Sequence, residues 1–213
     1  MQDLCELLRA NSYPGRGIVV GYNRVYYWIM GRSVNSRNRV FTLTGDGIKT
    51  EAYDPSKLED PSLIIYHPVR TMDDDLVVTN GNQTDTIVEK KDFVAGCRAR
   101  RFEPDAPNFT PRISSILHSD GSFAISILKH QAGEADRCER QFFFYEGVDA
   151  GEGYFISTYQ HDGDPLPSFA GEPIHIRMGE PKEVWEALDE DNKVSLYANV
   201  DGNVTLFNAH TGD

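Results

Sequence analysis

The chain of 213 residues contains no apolar run near the ~20 residues that a bilayer-crossing helix needs. Its opening stretch, MQDLCELLRANSYPGR, is too acidic and too poor in apolar residues for a secretory signal. Together these absences predict a soluble, cytoplasmic protein. Cysteine is scarce: Cys5, Cys97 and Cys138 are widely spaced, odd in number and form no CxxC pair. That excludes a disulfide framework and gives no zinc pattern. Cys5 lies on an amphipathic segment with no histidine nearby, which reads as a packed thiol. There is no GxxxxGK[ST] phosphate loop, no GxSxG and no HExxH. The glycines of GRGIVVG (15–21, with Gly15 leading) precede a strand-like run and do not follow one, so they make no dinucleotide fingerprint. MDDD (72–75) and HDGD (161–164) read as solvated turns before they read as cation sites. No metal and no other cofactor is expected.

Negative charge is missing from one long segment. Residues 7–45 hold no Asp, no Glu and no Lys, but six arginines: Arg9, Arg16, Arg24, Arg32, Arg37 and Arg39. The whole chain carries −12, so this segment at +6 leaves −18 for the remainder. The net charge argues against nucleic acid or an anionic membrane as partner. The cluster GRSVNSRNR (31–39) argues for something smaller. Its three arginines repel one another unless an anion sits among them, and a guanidinium offers a planar fork to phosphate or carboxylate oxygens.

What is present is ordinary globular material, 39% hydrophobic and 25% charged, enough for one domain over residues 1–213. A short helix is expected over residues 2–10, broken at Tyr13-Pro14-Gly15. Strands follow at 17–22 and 24–30, close enough for a hairpin, and at 39–44. SLIIYH (62–67) and DLVVTN (75–80) read as further strands, then a helix from Thr84 to Arg101 capped by Thr84 or Asp85. Strands at 123–129, 140–147 and 153–160 precede a helix over 181–191 with Pro181 in its first turn. A last hairpin turns at Asp201-Gly202. This is an α+β chain built on antiparallel sheet.

Three polar clusters stand at strand ends or strand–helix junctions, where sites are commonly built: GRSVNSRNR, TNGNQTDTI (79–87) and NFTPRI (108–113). Each has a plain structural explanation: an Asn80-Gly81 turn, a Thr84 or Asp85 cap, an Arg112–Glu103 pair. Together they supply anion forks, amide readers and carboxylates.

The order of GRGIVVG, GRS…NR, VVTNGNQTDTI, TPRI and YFISTY resembles the archaeal-type IMP cyclohydrolase family, from about Arg16 to Tyr159. The resemblance implies a four-layered αββα sandwich of antiparallel sheets, like that of the N-terminal-nucleophile hydrolases but without an N-terminal nucleophile. It implies closure of 5-formamidoimidazole-4-carboxamide ribonucleotide to inosine monophosphate and water in purine biosynthesis. It also raises self-association, as a homo-oligomer of unspecified size. Arg32, with Arg37 or Arg39, would grip the 5′-phosphate or steady developing charge. Asn80, Gly81, Thr84 and Asp85 would read ribose and base, with Thr110 beside them. Tyr66 would donate a proton near the formyl oxygen. Glu103 or Asp105 would act as base, oriented by Arg112, and Tyr159 would reach the same cleft. Two other functions fit the same residues: an N-terminal-nucleophile-type amide hydrolase, and a purine-nucleotide-binding module without catalysis.

Overall fold

A computed structural model describes residues 1–58, 65–131 and 134–212. In chain order its strands are β1 (Gln2–Asp3), β2 (Gly17–Gly21), β3 (Arg24–Met30), β4 (Val40–Thr44), β5 (Gly47–Glu51), β6 (Val69–Met72) and β7 (Asp75–Thr79). They continue as β8 (Arg112–Leu117), β9 (Phe123–Gln131), β10 (Glu134–Tyr145), β11 (Glu152–Ser157), β12 (Ile174–Arg177), β13 (Lys193–Val200) and β14 (Asn203–Asn208). Five α-helices accompany them among the described residues: α1 (Leu4–Arg9), α2 (Val34–Arg37), α3 (Gln83–Lys90), α4 (Phe93–Arg98) and α5 (Pro181–Ala187).

The strands form two seven-stranded sheets. One runs β1-β12-β11-β2-β3-β13-β14, the other β10-β9-β8-β7-β6-β5-β4. Every pairing is antiparallel except β1 with β12. The chain is therefore α+β with two mostly antiparallel sheets.

The side-chain period of two explains the packing. Along β3, Val25, Tyr27 and Ile29 enter an apolar layer shared with Phe41, Val69, Ile113 and Ile127 of the other sheet. The alternate residues Tyr26, Trp28 and Met30 point to the opposite face, where Leu4 and Leu8 of α1 and Val184 of α5 cover them. Both faces of β3 are buried, so it reads as an unbroken apolar run, not an alternating one. On the far side of the second sheet, Val77, Ile116 and Leu128 pack under Ile87, Phe93 and Cys97 of α3 and α4.

Several expectations needed correction. The long helix over 84–101 is two helices. Lys91 turns left-handed at φ 49° and ends α3, and Asp92 then caps α4 by accepting a hydrogen bond from the Ala95 N–H at 2.8 Å. The break lets the helices cross at Gly96, where a Cβ would stand 2.6 Å from Ile87 Cα. The cap of α3 is Asn82, without a side-chain bond, so Thr84 and Asp85 lie inside the first turn. The last helix ends at Ala187, with Leu188 already extended. Gln2 and Asp3 are a strand edge, not helix. Of the strand read in SLIIYH, residues 62–64 lie outside the described residues. Ile65, Tyr66 and His67 form no strand, although Thr50 N–H donates to the Tyr66 carbonyl at 2.9 Å. No helix among the described residues is long and apolar enough to cross a membrane.

Candidate active site

Strand connectivity gathers the three polar clusters at one end of the two sheets. β2 begins and β3 ends there, and the chain crosses from one sheet to the other through residues 31–39 before starting β4. β7 ends and β8 begins at the same place, and β11 ends beside the start of β2, with Ser157 opposite Gly17. The result is a cavity of about 600 Å³, a size suited to a small-molecule ligand.

Two arginines define its depth. Arg39 is 4% exposed, and its Nε and Nη1 have no hydrogen-bond partner. Arg16 leaves its Nε equally unpartnered. Among the described residues neither forms an ion pair with a carboxylate. Burial, then the neighbouring Arg16 charge, pulls the Arg39 pKa below its usual value. Burial also works against Arg16, but the surrounding Tyr13, Tyr66, Tyr159 and Tyr27 outweigh it and its pKa lies above the usual value. Two adjacent cations, Arg39 buried and Arg16 half-buried, with donors to spare are a site prepared for an anion or a developing oxyanion.

Tyr66 lines the cavity beside them, its hydroxyl 3.0 Å from that of Tyr27 behind it. Arg112 and Glu103 also line the cavity, with Arg112 Nη2 3.0 Å from Glu103 Oε1. Arg112 is otherwise fixed by donating from Nη1 to Gln83 Oε1 at 2.5 Å and from Nε to the Arg101 carbonyl at 2.9 Å. Burial lowers the Arg112 pKa and the Glu103 carboxylate opposes that shift. Asp105 accepts from the Thr110 N–H at 2.7 Å and from the Thr110 hydroxyl, which also lies 2.6 Å from the Tyr159 hydroxyl. Burial raises the Tyr159 pKa, keeping it a neutral phenol.

Arg32, Arg39, Tyr66, Asn80, Gly81, Glu103, Asp105, Thr110, Arg112 and Tyr159 all line this one cavity. Arg37 does not belong to it. Its Nε donates to the Gly31 carbonyl and its Nη2 to Asn192, so of the two arginines it is Arg39 that lines the cavity. Thr84 is sealed in the protein, its hydroxyl 2.7 Å from that of Thr79. Asp85 turns outward and accepts from Arg70 at 3.1 Å. Asn80 lines the cavity, yet its amide is engaged elsewhere: it donates to the Pro111 carbonyl and accepts from Gln83 and the Ile113 N–H. Its side chain clamps the start of β8. Arg32 is half-exposed at the rim, paired with Asp162 at 2.5 Å and stacked 4.9 Å over the Tyr13 ring.

Sequence reasoning passed over Tyr13, Arg16, Ser33, Ser36 and Asn108, which also line the cavity. Arg16 had a signal, membership of the acid-free segment. Tyr13 had none, because Tyr13-Pro14-Gly15 reads as a helix stop. Neither MDDD nor HDGD lies in the lining, and among the described residues no group of three or more His, Cys, Asp or Glu gathers as for a metal. Cys5 is buried under α5, away from the cavity.

A family model described as "IMP cyclohydrolase-like protein" matches residues 13–204. The chain belongs to that family. Members named IMP cyclohydrolase include the protein of Methanosphaera stadtmanae, 31% identical over 70% of this chain and 75% of its own length. The protein of Methanothrix thermoacetophila is 28% identical over 75% and 80% respectively. That of Thermococcus kodakarensis is 26% identical over 84% and 85%. The family match begins at Tyr13 and so takes in every residue that lines the cavity.

Proposed function

We propose that this protein is an IMP cyclohydrolase acting through the cavity described above, on a single αββα domain spanning residues 1–213 and related in fold to the N-terminal-nucleophile hydrolases. The observation that carries the reading is the carboxylate-free pair of half-buried Arg16 and buried Arg39 beside Tyr66, in one cavity with the Arg112–Glu103 pair.

The substrate, 5-formamidoimidazole-4-carboxamide ribonucleotide, already holds both reacting groups, so the protein must supply orientation and charge stabilisation. The carboxamide nitrogen attacks the formyl carbon, and negative charge grows on the formyl oxygen. Arg39 and Arg16 stabilise that charge, and the Tyr66 hydroxyl, next to that of Tyr27, delivers the proton that makes a carbinolamine. Glu103, held by Arg112, takes the proton lost by the carboxamide nitrogen. Protonated Glu103 then gives its proton to the departing hydroxyl, which leaves as water, and the nitrogen that carried the formyl group loses its N–H proton to the Tyr66 phenolate, which completes the C=N bond and restores both side chains. Arg32 with the Ser33 and Ser36 hydroxyls forms the outer end of the cavity and takes the 5′-phosphate. Tyr159 and Thr110 fix Asp105 at the cavity wall and so set the position of the 103–112 segment.

The test is cyclisation of the formamido ribonucleotide by purified protein, followed by the absorbance of inosine monophosphate, with Glu103→Gln alongside. Turnover in the native protein and a fall of about 10²–10⁴-fold in kcat for the variant are expected. Absence of turnover with retained binding of inosine monophosphate would replace the enzyme with a binding module.

A further inference from the structure

A second cavity of about 640 Å³ opens behind Arg112, lined by Arg100, Arg101, Arg112, Phe102, Phe109, Pro104, Ala99 and Asp136. It shares only Arg112 and Pro104 with the first cavity. Among the described residues no carboxylate lies within ion-pairing distance of Arg98, Arg100, Arg101 or Arg140, in a chain whose net charge is −12. Arg100, Arg101 and Arg140 donate instead to neutral oxygens. Arg100 reaches the Thr86 hydroxyl at 2.8 Å, Arg101 the Asp136 carbonyl at 2.7 Å and Arg140 the Arg100 carbonyl at 2.8 Å. Arg101 also lies 4.8 Å over the Phe102 ring, and both residues line the cavity.

A second observation is independent of charge. Phe109 stands at φ 43°, the left-handed region that a bulky side chain rarely occupies. Strain of this kind persists where surrounding structure enforces it, and it concentrates at ligand clamps and switches. Phe109 lines the second cavity, while its neighbours Asn108 and Thr110 line the first. The 104–110 segment is therefore a thin wall between the two.

We propose that the second cavity is a separate binding site for a small phosphate-bearing anion with a flat apolar part, of the nucleotide class. The guanidinium forks suit phosphate oxygens, and the Phe102 and Phe109 rings give an apolar floor. The concave shape and the overall acidity of the chain select a small anion over a long polyanion. Occupation bears on the first cavity through Arg112, whose Nε holds the Arg101 carbonyl while its Nη2 holds Glu103. The inference stands whatever the first cavity turns over.

Equilibrium titration with pyrophosphate and with adenosine diphosphate tests it on three proteins: native, Arg101→Ala, and the double variant Arg32→Ala/Arg39→Ala. Arg101→Ala should weaken one class of sites about tenfold or more, the loss of a charge-assisted contact, and that class should survive in the double variant. Loss of all binding in the double variant, with Arg101→Ala unchanged, would assign every anion to the first cavity and overturn the proposal. So would no binding by the native protein. Arg101 is exposed on the surface and touches no catalytic group by its side chain, so a folded variant is expected.

Discussion

Replacing Arg39 with methionine should make the ligand-free protein more stable and the catalyst much slower. The side chain is 4% exposed, and two of its three nitrogens lack a hydrogen-bond partner. Each buried unsatisfied donor costs about 1–3 kcal/mol. The adjacent Arg16 charge adds repulsion, visible as the downward pull on the Arg39 pKa after burial itself. Methionine has similar length, no charge and enough flexibility to fill the space. Buried charges exchanged for apolar groups of similar volume have yielded about 1–4 kcal/mol. The contact of Arg39 with Tyr66 is lost in return, so a net gain of about 2 kcal/mol is a reasonable expectation. In a chain of this size it raises Tm by about 4–8 °C. The same change removes a donor to the developing formyl oxyanion and should lower kcat about 10²–10³-fold. Thermal denaturation without ligand and steady-state cyclisation kinetics read the two effects separately. A variant that melts lower than the native protein and keeps its kcat would refute the reasoning, since Arg39 would then be a structural residue.

Tyr66→Phe should leave the fold intact, because Tyr66 gives its backbone, not its ring, to Thr50, and should lower kcat by about 10²-fold with little change in KM; an unchanged kcat would remove it as the proton donor. Gly81→Ala places a Cβ 2.5 Å from Arg112 Nη1 and 2.7 Å from Gln83 Oε1, so the guanidinium must move. A stability loss of about 1–3 kcal/mol with a disproportionate fall in kcat is expected, and full turnover would show the Arg112–Glu103 geometry to be dispensable. Burial raises the Cys97 pKa to about 11 and also raises that of Cys5, so both stay protonated at pH 8. Mass spectrometry after brief treatment with a thiol reagent should find Cys138 modified first, with Cys5 and Cys97 reacting only on unfolding. Rapid labelling of Cys97 in the folded protein would contradict its burial.

The acid-free arginine segment and the polar strand ends were legible in the sequence because charge and hydrogen-bonding capacity are properties of composition. They pointed to an anionic ligand, and Arg32, Arg39, Asn80, Gly81, Thr110 and Arg112, all named from them, line one cavity. Alternating burial was partly legible too. The runs at β2, β3, β13 and β14 have strand lengths and turn residues that local chemistry dictates. β8 was hidden, because TPRI read as a polar junction and not as the start of a central strand; Arg112 there gives its side chain to Glu103, Gln83 and a carbonyl.

Only the tertiary structure could separate Arg39 from Arg37, two residues apart. The turn after α2 sends one into the cavity and the other to Gly31 and Asn192, and no local pattern distinguishes them. The helix over 84–101 broke for the same kind of reason: the crossing of Ile87 over Gly96 is a contact between segments, and propensity does not contain it. Asn80 looked like a reader of bases because its amide can donate and accept, but the pairing of β7 with β8 uses that capacity first. Composition and order determined what chemistry this chain can offer. Which groups remain free to offer it was decided by packing, since a buried polar group takes the nearest partner the fold supplies.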